Sequence, residues 1–178
     1  MRSRWSRVRS TGWLRPAPPA SNAWRSSPDA AFLSDLETKL EAVADDVNGD
    51  GKVKVTVKSI WLALDFETQD AGMRQLMESS EDKLNSDFYL CESTIFIVDD
   101  PAAMEQRYGC FRLLDGTDPQ EGDQMCVADF ALPLEDTALA GTQSESGAQW
   151  YAARRLSDGM ADNTLAATDA LWERLTQF

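Results

Sequence analysis

Between residues 53 and 98 the sequence changes its hydrophobic period twice, and that switch limits the folds open to the chain more than any other feature. Val53, Val55 and Val57 alternate with Lys52, Lys54, Thr56 and Lys58, the period-two pattern of a strand with one buried and one wet face. Ile60, Trp61, Leu62, Ala63 and Leu64 extend it as a more fully buried stretch. Met73, Leu76, Met77 and Leu84 then recur at helical spacing and predict a helix over residues 70–85. Residues 94–98 (Thr-Ile-Phe-Ile-Val) are an unbroken β-branched and aromatic run, the mark of a strand covered on both faces. Strand, helix and strand in that order imply a right-handed crossover, with 94–98 central and parallel to 53–64. The expected fold is therefore α/β: a mostly parallel or mixed central sheet with helices packed on it, in a single domain.

The flanking segments fit that frame. Ser27, Pro28 and Asp29 make a helix start, and Leu33, Leu36, Leu40 and Val43 supply its apolar stripe. Asp100 and Pro101 open another helix, which Gly109 closes. Residues 110–114 read as a short extended piece before the turn Asp115-Gly116-Thr117-Asp118-Pro119. Residues 127–134 predict a strand whose proline puts its end at an edge, 135–148 a polar loop, and 150–156 another strand. A last helix starts near Asn163 and turns Leu171, Trp172, Leu175 and Phe178 inward.

Charge divides the chain. Residues 1–27 hold six arginines and no acid, which leaves 11 of the 17 basic residues against all 30 acids, a net of −19, in the remainder. With the run Arg15-Pro16-Ala17-Pro18-Pro19-Ala20 and no helical periodicity, residues 1–27 are expected to be a disordered basic tail, and 28–178 the folded domain. A body so acidic repels phosphate backbones, so nucleic acid is not an expected partner of the domain. No apolar run reaches the roughly 18 residues of a spanning helix, so no transmembrane segment is expected in this chain. The 178 residues contain no histidine, which removes Ser-His-Asp and Cys-His catalysis, histidine-ligated zinc and histidine general bases together.

One motif carries specific chemistry. Asp46-x-Asn48-x-Asp50-Gly51 places oxygen ligands at alternate positions around a glycine bend, like the opening of an EF-hand or dockerin calcium loop. The twelfth position, where such loops complete the coordination shell, is Val57. The competing reading is a helix-to-strand turn of Asn, Asp and Gly, so calcium at Asp46, Asn48 and Asp50 is the alternative and no cofactor the first expectation. Paired acids (Asp45/Asp46, Glu81/Asp82, Asp99/Asp100, Glu135/Asp136) offer carboxyls for acid–base work or helix caps. Asp99 stands out because it follows strand 94–98, and parallel sheets bind ligands at that end. Arg154 and Arg155 form an adjacent pair able to clamp an anion. Cys110 and Cys126 flank a turn-rich loop and are either a disulfide or small buried hydrophobes, and Cys91 is left over.

The pieces VKVTVKSIWLAL, STIFIVDDPAAMEQRYGCFRLLD, FALPL, WYAARR and ALWERL resemble the N-terminal part of an extracellular solute-binding protein of the type 2 periplasmic-binding-protein-like kind. They also resemble small membrane-anchored proteins of gut Gram-positive bacteria that carry a similar Asn-Gly-Asp-Gly-Lys-Val turn. The resemblance spans residues 50–176 and implies one lobe without the second that would close over a ligand. What it implies is a non-catalytic, extracytoplasmic α/β binding or interaction domain, with no catalytic residues and Asp99, Arg154 and Arg155 as its ligand-binding candidates. The alternatives are a calcium-stabilised interaction module built on the loop of residues 46–51 and a small carboxylate-dependent enzyme.

Overall fold

Local chemistry sets the helix boundaries, and the computed structural model describes residues 29–44, 53–62, 70–142 and 147–177. Helix α1 (Ala30–Val43) is capped by Asp29, whose carboxylate accepts the Phe32 N–H at 2.7 Å; Ser27 and Pro28 lie outside the described residues. Helix α2 (Ala71–Leu90) starts at Asp70, which accepts from the Met73 N–H, and ends at Cys91, held left-handed at φ 53°. Helix α3 (Pro101–Tyr108) has Asp100 as its cap and Pro101 in its first turn, and stops at Gly109, where φ is 55°. A left-handed residue just past the helix lets the last carbonyls find donors, and glycine reaches that conformation without a Cβ penalty.

The sheet departs from expectation. Strands β1 (Ile95–Val98), β2 (Ala131–Pro133) and β3 (Tyr151–Arg154) form one three-stranded sheet in the order β1-β3-β2, and both pairings are antiparallel. Helices make up about half of the described residues. The mostly parallel or mixed sheet is thus replaced by a small antiparallel one, with β3 rather than residues 94–98 at its centre. Residues 53–62 join none of its strands. Their valines are half-buried and Lys54, Thr56 and Lys58 exposed, so the alternation does report wet and dry sides. The N–H groups of Val55 and Val57, however, go to the Glu41 and Glu37 carboxylates of α1 instead of to a neighbouring strand.

Residues 127–134 also split. The first four wind into a helical turn, α4 (Val127–Phe130), because Asp129 accepts the Cys126 N–H at 2.7 Å and closes the turn. Only Ala131–Pro133 pairs with β3, and Leu134–Asp136 is a single 3₁₀ turn. Helix α5 (Asp162–Thr176) completes the chain as expected.

The strand period of two sends alternate side chains to two separate cores. Ile95, Ile97, Leu132 and Ala152 meet Phe32, Leu36 and Leu40 of α1 and Trp172 and Leu175 of α5. Phe96, Val98, Ala131 and Ala153 meet Leu84 and Phe88 of α2 and Met104 of α3, together with Phe111 and Phe130. The result is a helix–sheet–helix sandwich. Val55 and Val57 pack on the first core and Ile60 and Leu62 on the second. Residues 53–62 therefore pass around the outer edge of β1 from one face of the sheet to the other.

Candidate functional site

The expected arginine pair is split by that same period. Arg154 ends β3 on the α5 side, where its Nη1 and the Nη1 of Arg112 both donate to Asp169 Oδ1, at 3.0 and 2.9 Å. Arg154 Nη2 donates to the Leu113 and Leu114 carbonyls, and its guanidinium lies 5.0 Å from the Trp172 ring centre. Burial, with the Arg112 charge beside it, pulls the Arg154 proton affinity below the ordinary arginine value, and Asp169 opposes that shift. Arg155 points to the other core and donates from Nη2 to the Phe88 carbonyl at 3.0 Å, closing the C-terminal end of α2. The two side chains therefore do not form a clamp. Arg112, not Arg155, is the neighbour of Arg154, and the terminal nitrogens of both guanidiniums tie residues 113–116 and α5 to the sheet, while each Nε is buried without a hydrogen-bond partner among the described residues.

Glu105 is committed to backbone contacts as well, and of the cysteines only Cys110 is buried in the core. Glu105 Oε2 accepts the Cys110 and Phe111 N–H groups, both at 2.9 Å, and burial pushes its carboxyl above the usual range against those two bonds. Cys91, Cys110 and Cys126 are all free, so the Cys110–Cys126 bridge does not form. Cys110 is buried, and desolvation reinforced by Glu105 raises its thiol well above the ordinary value. The candidate calcium ligands Asp46, Asn48 and Asp50 lie outside the described residues. Among the described residues no group of three or more Cys, Asp or Glu side chains is placed to hold a metal. Nor is any helix among them long and apolar enough to cross a membrane.

The feature with the shape of a binding site lies at the outer edge of β1. A cleft of about 470 Å³ runs between β1 and residues 55–62, within the range of about 300–1,000 Å³ common to ligand sites. Leu36 and Leu40 of α1, Leu84 of α2, Met104 of α3 and Trp150 line its apolar walls. Trp150 packs on Phe32, with ring centres 4.8 Å apart, and its buried indole N–H has no acceptor among the described residues. Lys58 bridges residues 53–62 to the sheet entrance, pairing with Asp87 at 3.4 Å and with Glu92. Asp87 is itself fixed by Ser93, whose hydroxyl donates to it at 2.7 Å.

Of the three expected ligand-binding residues, Asp99 alone reaches this cleft. It does so for a different reason from the one sequence suggested. The expectation rested on the carboxyl end of a parallel sheet, whereas Asp99 lies beside the free edge of an antiparallel one. Asp100 also lines the cleft, with its carboxylate accepting the Ala103 N–H as the cap of α3. No family model matches the chain, and neither a curated protein nor a solved structure does.

Proposed function

We propose that this chain is a non-catalytic binding domain that receives its ligand in the cleft between β1 and residues 55–62. The cleft carries the reading: its lining is mainly apolar with a few charged side chains among it, and it opens along a strand edge. This is the binding role expected of a single solute-binding lobe, moved from a sheet end to a sheet edge. The carboxylate-enzyme alternative is less well supported. Glu105, the carboxyl that burial lifts, commits an oxygen to two backbone N–H groups instead of facing a nucleophile.

Nile red, a neutral apolar dye, tests the proposal on the full chain. Saturable uptake is expected, with a change in tryptophan emission because Trp61 and Trp150 line the cleft. Val57→Trp, which fills the cleft from the solvent side, should abolish uptake while leaving the far-ultraviolet circular dichroism unchanged. A folded wild-type chain with no saturable uptake would overturn the reading.

A further inference from the structure

We infer that the cleft's ligand is an extended polypeptide segment in which apolar and basic residues alternate, paired through its backbone to the free edge of β1. The inference rests on the reading of the cleft as a ligand site and names what that site accepts.

The backbone supplies the first argument. Arg155 N–H donates to the Thr94 carbonyl at 3.1 Å, and the register pairs Ile95 with Arg154 and Phe96 with Ala153. In an antiparallel ladder, bonded and non-bonded pairs alternate. Phe96 and Val98 therefore turn their N–H and C=O groups toward β3, while Ile95 and Ile97 turn theirs outward. Among the described residues those outward groups have no partner. A row of unmet donors and acceptors beside an apolar cleft is the template that strand addition uses: main-chain bonds give affinity, and pockets for alternate side chains give specificity.

Charge supplies the second. Among the described residues, the charged side chains lining the cleft are four carboxylates (Asp87, Glu92, Asp99 and Asp100) and Lys58. Asp99 has no hydrogen-bond or ion-pair partner among the described residues, so a basic side chain arriving there meets an uncommitted carboxylate.

The chain's own residues 53–58 supply the third. Val-Lys-Val-Thr-Val-Lys is an apolar and basic alternation, and it lies extended against this cleft with Val55 and Val57 inward and Lys58 on Asp87 and Glu92. The intramolecular segment thus displays the chemistry that the cleft accepts. A second copy of the chain pairing edge to edge would bring Asp99 and Asp100 toward Glu92 of its neighbour, acid against acid. That makes a basic peptide the better occupant.

The test uses the ¹⁵N-labelled full chain and a synthetic peptide of the sequence of residues 53–62. A control peptide carries Lys54→Glu and Lys58→Glu. The parent peptide should shift the Ile95 and Ile97 amide signals and slow their exchange with solvent about tenfold or more at saturation. Its affinity should fall as salt rises, and the control should bind about tenfold more weakly. Asp99→Asn should weaken the parent peptide by about two- to fivefold. Equal binding of the two peptides would remove the charge argument, and binding that leaves the Ile95 and Ile97 amides unprotected would remove the edge argument. Either result overturns the proposal. So would mass by light scattering that rises with concentration, together with Ile95 and Ile97 protected in the absence of peptide, since the occupant would then be a second copy. If Nile red enters the cleft and the peptide does not bind, this proposal falls and the binding site stands; if neither binds, both fall.

Discussion

The two edges of the three-stranded sheet are finished in opposite ways. On the β2 side, Leu134 N–H donates to the Trp150 carbonyl, so by alternation Leu132 faces β3 and Ala131 and Pro133 face outward. Proline therefore stands at an outward position. It costs the ladder nothing and deletes a donor from the exposed edge, and flanking helical turns shorten the strand to three residues. On the β1 side the outward positions are Ile95 and Ile97, whose donors and acceptors stay available. Among the described residues that edge is covered by residues 53–62, which wrap it without pairing. Proteins commonly blunt exposed edges by the first device, so leaving one edge open beside an apolar cleft is where function is to be sought.

Packing follows the same division, and the largest effects should fall on the closed side. Phe111, bridging to Arg155 beyond the end of β2, is fully buried and stacks on Phe130 with ring centres 5.5 Å apart. Phe111→Ala should cost about 3–5 kcal/mol in urea or thermal unfolding, by lost transfer free energy and the cavity left behind. Val57→Ala on the half-buried wrapping segment should cost about 1 kcal/mol or less. Equal costs would mean that residues 53–62 are as much a part of the core as the closed edge is.

Asp169→Ala comes next. It strips Arg112 and Arg154, 6% and 5% exposed, of the carboxylate they share. Breaking a fully buried pair costs more, but Asp169 is 39% exposed and water screens part of the loss, so about 2 kcal/mol is expected in chemical denaturation. A negligible loss would show that the carbonyls of Leu113 and Leu114 suffice to hold Arg154.

These residues also mark where the sequence was readable. Caps are local chemistry, so Asp70, Asp100, Pro101 and Gly109 announce their helices within a few residues. The unbroken run at 94–98 states truthfully that both faces of the strand are covered, here by α1 and α5 on one side and α2 and α3 on the other. Strand direction is another matter. Alternation at 53–58 says which side is dry, and nothing in it says whether a neighbouring backbone lies within hydrogen-bonding reach. Antiparallel pairing of 95–98 with 151–154 is fixed by contacts more than fifty residues apart, which no short window contains. Arg154 and Arg155 illustrate the point in miniature: adjacency suggests a pair, yet a strand sends neighbours to opposite faces, and the partner of Arg154 is found at Arg112. Asp99 does follow a strand, as its place in the sequence implies, but the sheet it borders is antiparallel, so it lies at an edge and not at the carboxyl end of parallel strands.

Amide exchange on the free protein examines the edges directly. Ile95 and Ile97 should exchange about tenfold or more faster than Phe96 and Val98, because only the latter donate within the ladder. Pro133→Ala should change stability by no more than about 0.5 kcal/mol, since its position lacks a ladder bond to lose or regain. Alternating protection in β1 together with a neutral Pro133→Ala would fix the register on both sides. Uniform protection across residues 95–98 would instead mean that the β1 edge is already paired.

The smallest effect concerns pH and the segment that flanks the closed edge. Glu105 holds residues 110–111 beside β3 through two N–H···O bonds, and burial raises its pKa in the folded state above its unfolded value. A carboxyl raised on folding favours the folded state when protonated. Its contribution is full below the unfolded pKa and is lost as pH rises through the folded one. Above the folded pKa the carboxylate carries its charge half-buried, and the two N–H bonds offset only part of the desolvation. Glu105→Gln keeps an acceptor oxygen for those N–H groups and removes the charge. The melting temperature of the variant relative to wild type should accordingly be higher at pH 7 than at pH 4, by a degree or two at most. The carboxylates of Asp115 and Asp129, both held low by backbone N–H bonds, act in the opposite sense and are common to both proteins, so they cancel in the difference. A variant destabilised more at pH 7 than at pH 4 would instead mean that the carboxylate anchors residues 110–111 by its charge, and that the closed edge depends on electrostatics as the open one is proposed to do.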